Sequence, residues 1–214
     1  MSDPRTRLAL AHLYLVCDER PDTFVQGALL GGVDLVQLRI KGGADQRILA
    51  VASRYRRLCD AAGALLILND RPDLAVAAGA DGVHVGQDDG SVASARKVVG
   101  AQRIIGRSTH SRDQIEQAAA DGVDYIGVGP VHATPTKPGR PAVGLDLVRY
   151  AAQHSRVPFF AIGGITTANV TAVHEAGARG VAVVRAITEA PDPQAAAGAL
   201  RSAIVSERSE VGVL

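Results

Sequence analysis

Eight short apolar runs, "LYLVC", "VDLVQLR", "LLILN", "GVHV", "RIIG", "DYIGVG", "PFFAIG" and "GVAVV", recur along the chain at fairly even intervals, and they limit the fold more than any other feature. They are rich in β-branched residues and leucine and have the length of strands. Between them lie alanine-rich stretches with helical spacing. In "ADQRILAVASRYRRLCDAAG", for example, Ile48, Leu49, Ala52, Tyr55 and Leu58 share one face. Strands that alternate with helices pair in parallel, because each helix is the crossover that returns the chain for the next strand.

The two kinds of joint differ. Helix-to-strand joints, "LLGGVDLVQL", "AAGADGVHVG", "AADGVDYIGVG" and "EAGARGVAVV", carry Gly or Asp-Gly just ahead of an apolar run, which suits the left-handed residue that ends a helix. Strand-to-helix joints, "QLRIK", "LNDRPD", "HVGQDD", "GRSTHS", "GPVHATPTKPGR" and "AIGGITTAN", hold the polar residues. This asymmetry predicts an α/β fold of the (β/α)8 TIM barrel type, in which the loops after the strands build the active site. A doubly wound open sheet also gathers ligands at strand carboxyl ends. It ranks second, because eight units in 214 residues is a barrel count and no G-x-G-x-x-G follows the first strand.

A chain of 214 residues, 47% hydrophobic, can bury one large core, so a single domain is expected over 1–214, with about 205–214 as a flexible tail. Lys and Arg number 23 against 22 Asp and Glu, with no long run of like charge, so no nucleic-acid or membrane patch is expected and the partners are small molecules. Cys17 and Cys59 lack the number and spacing of a disulfide framework or zinc site and read as reduced, buried thiols of a cytoplasmic protein. The N-terminal "MSDPRTRLALAHLYLV" has too short an apolar stretch, broken by His12, for a signal peptide, and no apolar run is long enough to cross a bilayer.

The polar joints suggest phosphate chemistry. In "VQLRIK", alternation puts Gln37, Arg39 and Lys41 on one strand face and Val36, Leu38 and Ile40 on the other, so two cations and an amide converge at the barrel mouth. Paired cations call for an anion, either a ligand or an internal partner such as Asp34 or Asp70. Asn69 and Asp70 end one strand and Asp89 follows the next. Two carboxylates beside cations make sense with Mg²⁺ between them and phosphate oxygens, with Asp88 competing for the second place and helix capping as the plainer role of either.

The loop "HATPTKPGRP" offers Thr134, Thr136 and Lys137. Gly163 and Gly164, with the eighth strand, stand where barrels of this kind hold phosphate, although two glycines also ease a tight turn. Ser108 can donate to a ligand, whereas Ser111 with Gln114 reads as a capping box. His84 reads as a hydrogen-bonded barrel residue, and no nucleophile with an adjacent base stands out.

Taken in order, "LYLVCDE", "VQLRIK", "LNDRPDLA", "ADGVHVGQDD", "IGRSTH", "DYIGVGPVHATPTK" and "AIGGI" closely resemble the thiamine-phosphate synthases over nearly the whole chain. The resemblance implies a TIM-barrel transferase that joins a 4-amino-2-methyl-5-hydroxymethylpyrimidine diphosphate to a thiazole monophosphate, releasing pyrophosphate. It implies that Gln37, Arg39, Lys41, Asn69, Ser108 and Lys137 meet the pyrimidine diphosphate. Thr134, Thr136, Gly164, Val184 and Arg185 would meet the thiazole phosphate, and Leu38, Ile40 and Pro135 are further substrate-binding positions. Asp70 and Asp89 would hold Mg²⁺, with Arg39, Lys41, Ser108 and Lys137 as the catalytic groups. A homodimer is compatible with it.

One position departs from the pattern: the family commonly shows a serine after the eighth run, where this chain has Arg185. If the main-chain N–H groups of Val184 and Arg185 hold the phosphate, the change matters little; if the hydroxyl binds, Arg185 replaces that contact with charge. The alternatives are a thiazole tautomerase, or a binder of thiamine phosphate without turnover. Neither needs the set Arg39, Lys41, Asn69, Asp70, Asp89 and Lys137.

Overall fold

The computed structural model describes residues 3–135, 139 and 141–205. The eight apolar runs form β1 (Leu13–Cys17), β2 (Leu35–Leu38), β3 (Leu65–Asn69), β4 (Gly82–Val85), β5 (Ile104–Thr109), β6 (Tyr125–Val128), β7 (Phe159–Ile162) and β8 (Gly180–Val183). Each pairs in parallel with the next, and β8 pairs back onto β1, with Leu13 opposite Val181 and Leu15 opposite Val183. That closing pairing excludes the open sheet. The helices are α1 (Pro4–Ala9), α2 (Asp22–Leu30), α3 (Asp45–Ala62), α4 (Pro72–Ala77), α5 (Val92–Val99), α6 (Arg112–Ala120), α7 (Gly144–His154), α8 (Val170–Glu175), α9 (Arg185–Thr188) and α10 (Pro193–Val205).

Strand alternation divides the core in two. Leu15, Val36, Leu38, Leu66, Leu68, Val83, Ile105 and Ile126 face the helices, and residues such as Val25, Ala52 and Val148 meet them from the helical side. Tyr14, Leu35, Leu65, Ile67, Ile104, Tyr125 and Phe160 fill the barrel interior with Leu8 of α1. Three aromatic rings inside so small a barrel need room, and glycines supply it. A Cβ on Gly106 would lie 2.1 Å from Tyr125 Cζ, and one on Gly180 would lie 2.7 Å from Phe160 Cδ1. The joint glycines behave as expected, with positive φ at Gly32, Gly79, Gly122 and Gly177.

At the amino ends of the strands, aspartates satisfy backbone donors. Asp34, just before β2, accepts from the N–H groups of His12 and Leu13; Asp81, just before β4, accepts from Leu66; Asp124, just before β6, accepts from Ile105. Each is neutralised by arginine: Asp34 by Arg201, Asp81 by Arg56, and Asp124 by Arg5 and Arg96. Asp34 is therefore no partner for Arg39 or Lys41, since it sits at the other end of the barrel.

Two local expectations change. Strand β2 stops at Leu38, and although the Arg39 N–H still bonds Cys17 O at 2.8 Å, the chain then turns through Gly42 and Gly43, both with positive φ. Lys41 is consequently exposed rather than on the inner face with Gln37. Ser111 caps α6 by accepting from the Gln114 N–H as expected, but the Gln114 side chain reaches the N–H of His110 instead of closing the reciprocal box on Ser111. Both cysteines are free and buried. The expected tail lies outside the described residues apart from Val205, which closes α10. No described helix is long and apolar enough to cross a membrane.

Replacing Asp124 with Ala leaves the Ile105 N–H unpaired and takes from two guanidinium groups their only carboxylate among the described residues, although both keep main-chain carbonyl acceptors. The expected cost is about 2–3 kcal/mol, or roughly 5–10 °C in melting temperature, with activity per folded molecule retained. Thermal denaturation alongside an activity assay checks both halves.

Candidate active site

The carboxyl ends of the strands surround a cavity of about 440 Å³. Its wall is uneven. Gln37 from β2, Arg39 just beyond it, Asn69 from β3, His84 from β4, and Ser108 and His110 at the end of β5 make a polar side. Gly127, Pro130, Phe160, Ile162, Ala182 and Val184, from β6 through β8, make an apolar one. Of the residues expected at the site, Gln37, Arg39, Asn69, Ser108, Thr134, Pro135, Gly164, Val184 and Arg185 line the cavity together. Leu38 and Ile40 turn their side chains outward into the layer beneath the helices, so only their main chain can face a ligand. Lys41 stands exposed outside the cavity wall, and Thr136 and Lys137 lie outside the described residues.

The polar run after β3 has two jobs. Arg71 and Asp73 are structural: the Arg71 guanidinium binds Asp45 at the start of α3 and Asp73 at the start of α4 at 2.6–2.9 Å, tying the two helix ends together. Asn69 lines the cavity, and Asp70 stands beside it just outside the lining. Asp70 is the one non-glycine residue with positive φ among those described, at 61°. Its conformation is held by its N–H bonded to His84 O at 2.8 Å and by the Asn69 amide donating to its carboxylate.

Burial, and then the neighbouring Asp89 carboxylate, push the Asp70 carboxyl above the usual carboxylate range. Asp89, and not Asp88, is thus the residue that confronts Asp70, and the Gly86 N–H orients it at 2.9 Å. Among the described residues no group of three or more His, Cys, Asp or Glu converges, so any cation held here has two protein carboxylates and must take further oxygens from ligand or water. Mg²⁺ accepts that kind of site, and a divalent charge would remove the repulsion the pair now carries.

The opposite side is organised by two loops laced together. Val131 N–H bonds Ile162 O at 2.8 Å and His132 N–H bonds Gly163 O at 3.0 Å. This approach leaves no room for side chains: a Cβ on Gly163 would fall 2.5 Å from Pro130 Cα, and one on Gly164 would fall 2.6 Å from His132 Cβ. Asn169 fastens the turn by donating to Gly164 O at 2.9 Å. Arg185 is exposed and paired with Glu189 at 2.7 Å across one helical turn, and both side chains border the cavity.

Sequence reasoning missed Tyr14, His110 and Phe160 as cavity residues and placed His84 in the barrel without its contact with the cavity. Tyr14 and Phe160 look like core within apolar strands, and only the register shows which of them reach the upper layer.

A family model described as thiamine monophosphate synthase matches residues 13–187. The chain belongs to that family. It is 52% identical over 211 residues to the thiamine-phosphate synthase of Saccharopolyspora erythraea, covering 92% of this chain and 95% of that one. It is also 52% identical over 188 residues to the thiamine-phosphate synthase of Nostoc sp., covering 87% of this chain but 54% of the relative, so it spans about half the length of such longer proteins. A solved thiamine phosphate pyrophosphorylase from Pyrococcus furiosus superposes with a TM-score of 0.85 at 31% identity, covering 94% of this chain and 96% of that one. A 3-hexulose-6-phosphate synthase structure, at 24% identity and a TM-score of 0.67, shares the barrel.

Asp70→Asn removes one of two facing carboxylates and keeps a residue type that tolerates positive φ. Because the folded protein holds the Asp70 proton more tightly than the unfolded chain does, metal-free stability falls as pH rises from the ordinary carboxylate value through the raised one. The variant is expected to lose that slope, to melt no lower than the parent at neutral pH in EDTA, and to lose turnover by roughly 100-fold. A pH series of melting curves and one rate assay test it.

Proposed function

We propose that the protein joins a hydroxymethylpyrimidine diphosphate to a thiazole monophosphate, giving thiamine phosphate and pyrophosphate. The observation that carries this reading is a cavity with one polar side, which includes Arg39 and Asn69, and one apolar side, with the facing pair Asp70 and Asp89 next to Asn69 just outside the lining. A substrate with a diphosphate suits the first side, and a thiazole ring suits the second. The names and extents of its relatives support the same assignment.

Asp70 and Asp89 would hold Mg²⁺, which when bound supplies positive charge to the diphosphate oxygens. This chain's own residues do the rest. Arg39, together with Lys41 and Lys137, stabilises the negative charge that grows on pyrophosphate as the methylene carbon–oxygen bond breaks. Gln37, Asn69 and Ser108 orient the aminopyrimidine and its ester, and the electron-rich ring carries the positive charge left on the methylene. The thiazole nitrogen then supplies the electron pair for the new carbon–nitrogen bond. No side chain need act as nucleophile or base in this route, and the contact between Ser108 and His84 is left a positioning role.

Across the cavity, the N–H groups of Gly164 and Val184 make no hydrogen bond with other described residues, and they suit the thiazole phosphate. Thr134, Pro135 and Thr136 border the same substrate. The Arg185 guanidinium, now on Glu189, belongs to a residue of the cavity lining and supplies charge where relatives commonly place a serine hydroxyl. The working protein is read as a cytoplasmic enzyme, with a homodimer compatible with the fold.

Incubation of the purified protein with both substrates and Mg²⁺ is expected to give thiamine phosphate, and EDTA is expected to abolish it. Folded protein that binds thiazole phosphate and yields no product would replace this reading with the tautomerase or the binder.

A further inference from the structure

Across the barrel interior, polar side chains from five strands are joined in series. The Gln37 amide nitrogen donates to Tyr14 Oη; Tyr14 Oη lies 2.8 Å from Tyr125 Oη; Tyr125 Oη lies 3.0 Å from His84 Nδ1; and His84 Nε2 lies 3.0 Å from Ser108 Oγ. All five side chains are buried, and the two ends, Gln37 and Ser108, face the cavity while Tyr125 does not.

A phenol has one proton to give. With the amide nitrogen turned toward it, Tyr14 accepts there and its own proton goes to Tyr125. Tyr125 must then donate to His84 Nδ1, which leaves His84 with its proton on Nε2, donating to Ser108. The Ser108 proton is therefore free to point into the cavity, and the Gln37 amide keeps its oxygen for a ligand. No member can reverse alone, because a buried donor facing a donor is costly; the series turns over only as a unit.

We propose that this buried series fixes the hydrogen-bond character of the cavity's polar side, with Ser108 held as donor and Gln37 as acceptor, and with Tyr125 and His84 as positioning residues. It deepens the functional reading above and rests on its placing of Gln37 and Ser108 against the substrate. A ligand with a donor at one end and acceptors at the other, such as an aromatic amine carrying a diphosphate ester, matches the pattern. The reversed pattern would reject it.

Two measurements test this. In protein labelled with ¹⁵N-histidine, with His84 assigned from the His84→Gln spectrum, the ligand-free wild type is expected to show a protonated Nε2 and a bare Nδ1. A proton on Nδ1 would overturn the inference, whatever the variants do. Turnover is then compared for Tyr125→Phe, Ser108→Ala and the double variant, each shown to be folded by its melting curve. Tyr125→Phe is expected to lower kcat roughly 10-fold when Ser108 is present and to have almost no effect when Ser108 is already alanine. Equal losses in both backgrounds would mark Tyr125 as merely structural and overturn the inference while leaving the functional reading intact. Full activity of Ser108→Ala would instead remove Ser108 from the substrate site, and with it the functional half of the inference.

Discussion

Everything at the active site depends on the main-chain pairing of the last strand with the first. Parallel strands in an open sheet would leave two edges and a crevice; joined at β1 and β8, they leave none, and their inward side chains must fill a fixed volume. The volume is met by unequal partners, large rings at Tyr14, Tyr125 and Phe160 against bare backbone at Gly106 and Gly180. Because the rings take up the middle of the barrel, the layer above them is the first with space for a ligand. The floor of the cavity is thus the top of the core.

Much of this was legible in the sequence, and the reasons for the rest are physical. Alternating strand and helix patterns, with polar residues confined to one kind of joint, specify a barrel and the end that carries the site. Asn69 and Asp70 stand out because a strand that ends in an amide and a carboxylate has no structural need of them. Strand alternation does not place Lys41, because β2 ends at Leu38 and the chain is already leaving the strand direction on its way to the turn at Gly42 and Gly43. The choice between Asp88 and Asp89 could not come from spacing, since it depends on how one loop folds over its neighbour. The series from Gln37 to Ser108 was invisible for a different reason: a tyrosine within an apolar strand reads as core, and it is core, with only its hydroxyl in a second role.

Charge next to the strands is paired off at the amino ends, whereas at the carboxyl ends some of it is paired, as at Arg71 and Arg185, and some is not. At the amino ends, Asp34, Asp81 and Asp124 are each matched by arginine and by backbone N–H groups. At the carboxyl ends, Asp70 faces a like charge, and neither Arg39 nor Lys41 forms an ion pair with a described residue. The first arrangement stabilises the fold, and the second leaves charge to be satisfied by ligands, which is the usual division of labour in this architecture.

The aspartates at the amino ends also follow a rule of two. They precede β2, β4 and β6, and each reaches sideways to the strand before it; at the corresponding place before β8 the chain has Arg179, whose carbonyl meets the His12 ring at 2.8 Å. Strands in a sheared barrel rise in alternate layers, so every second one presents the same height to the solvent. Three of the four strand pairs are accordingly latched by an acidic clasp of their own, and the pair β7 and β8 is not. Recombination between barrels that cut between such pairs would keep each carboxylate with the strand it fastens while parting Asp34 from Arg201 and Asp124 from Arg5, whereas a cut inside a pair would separate the carboxylate from that strand.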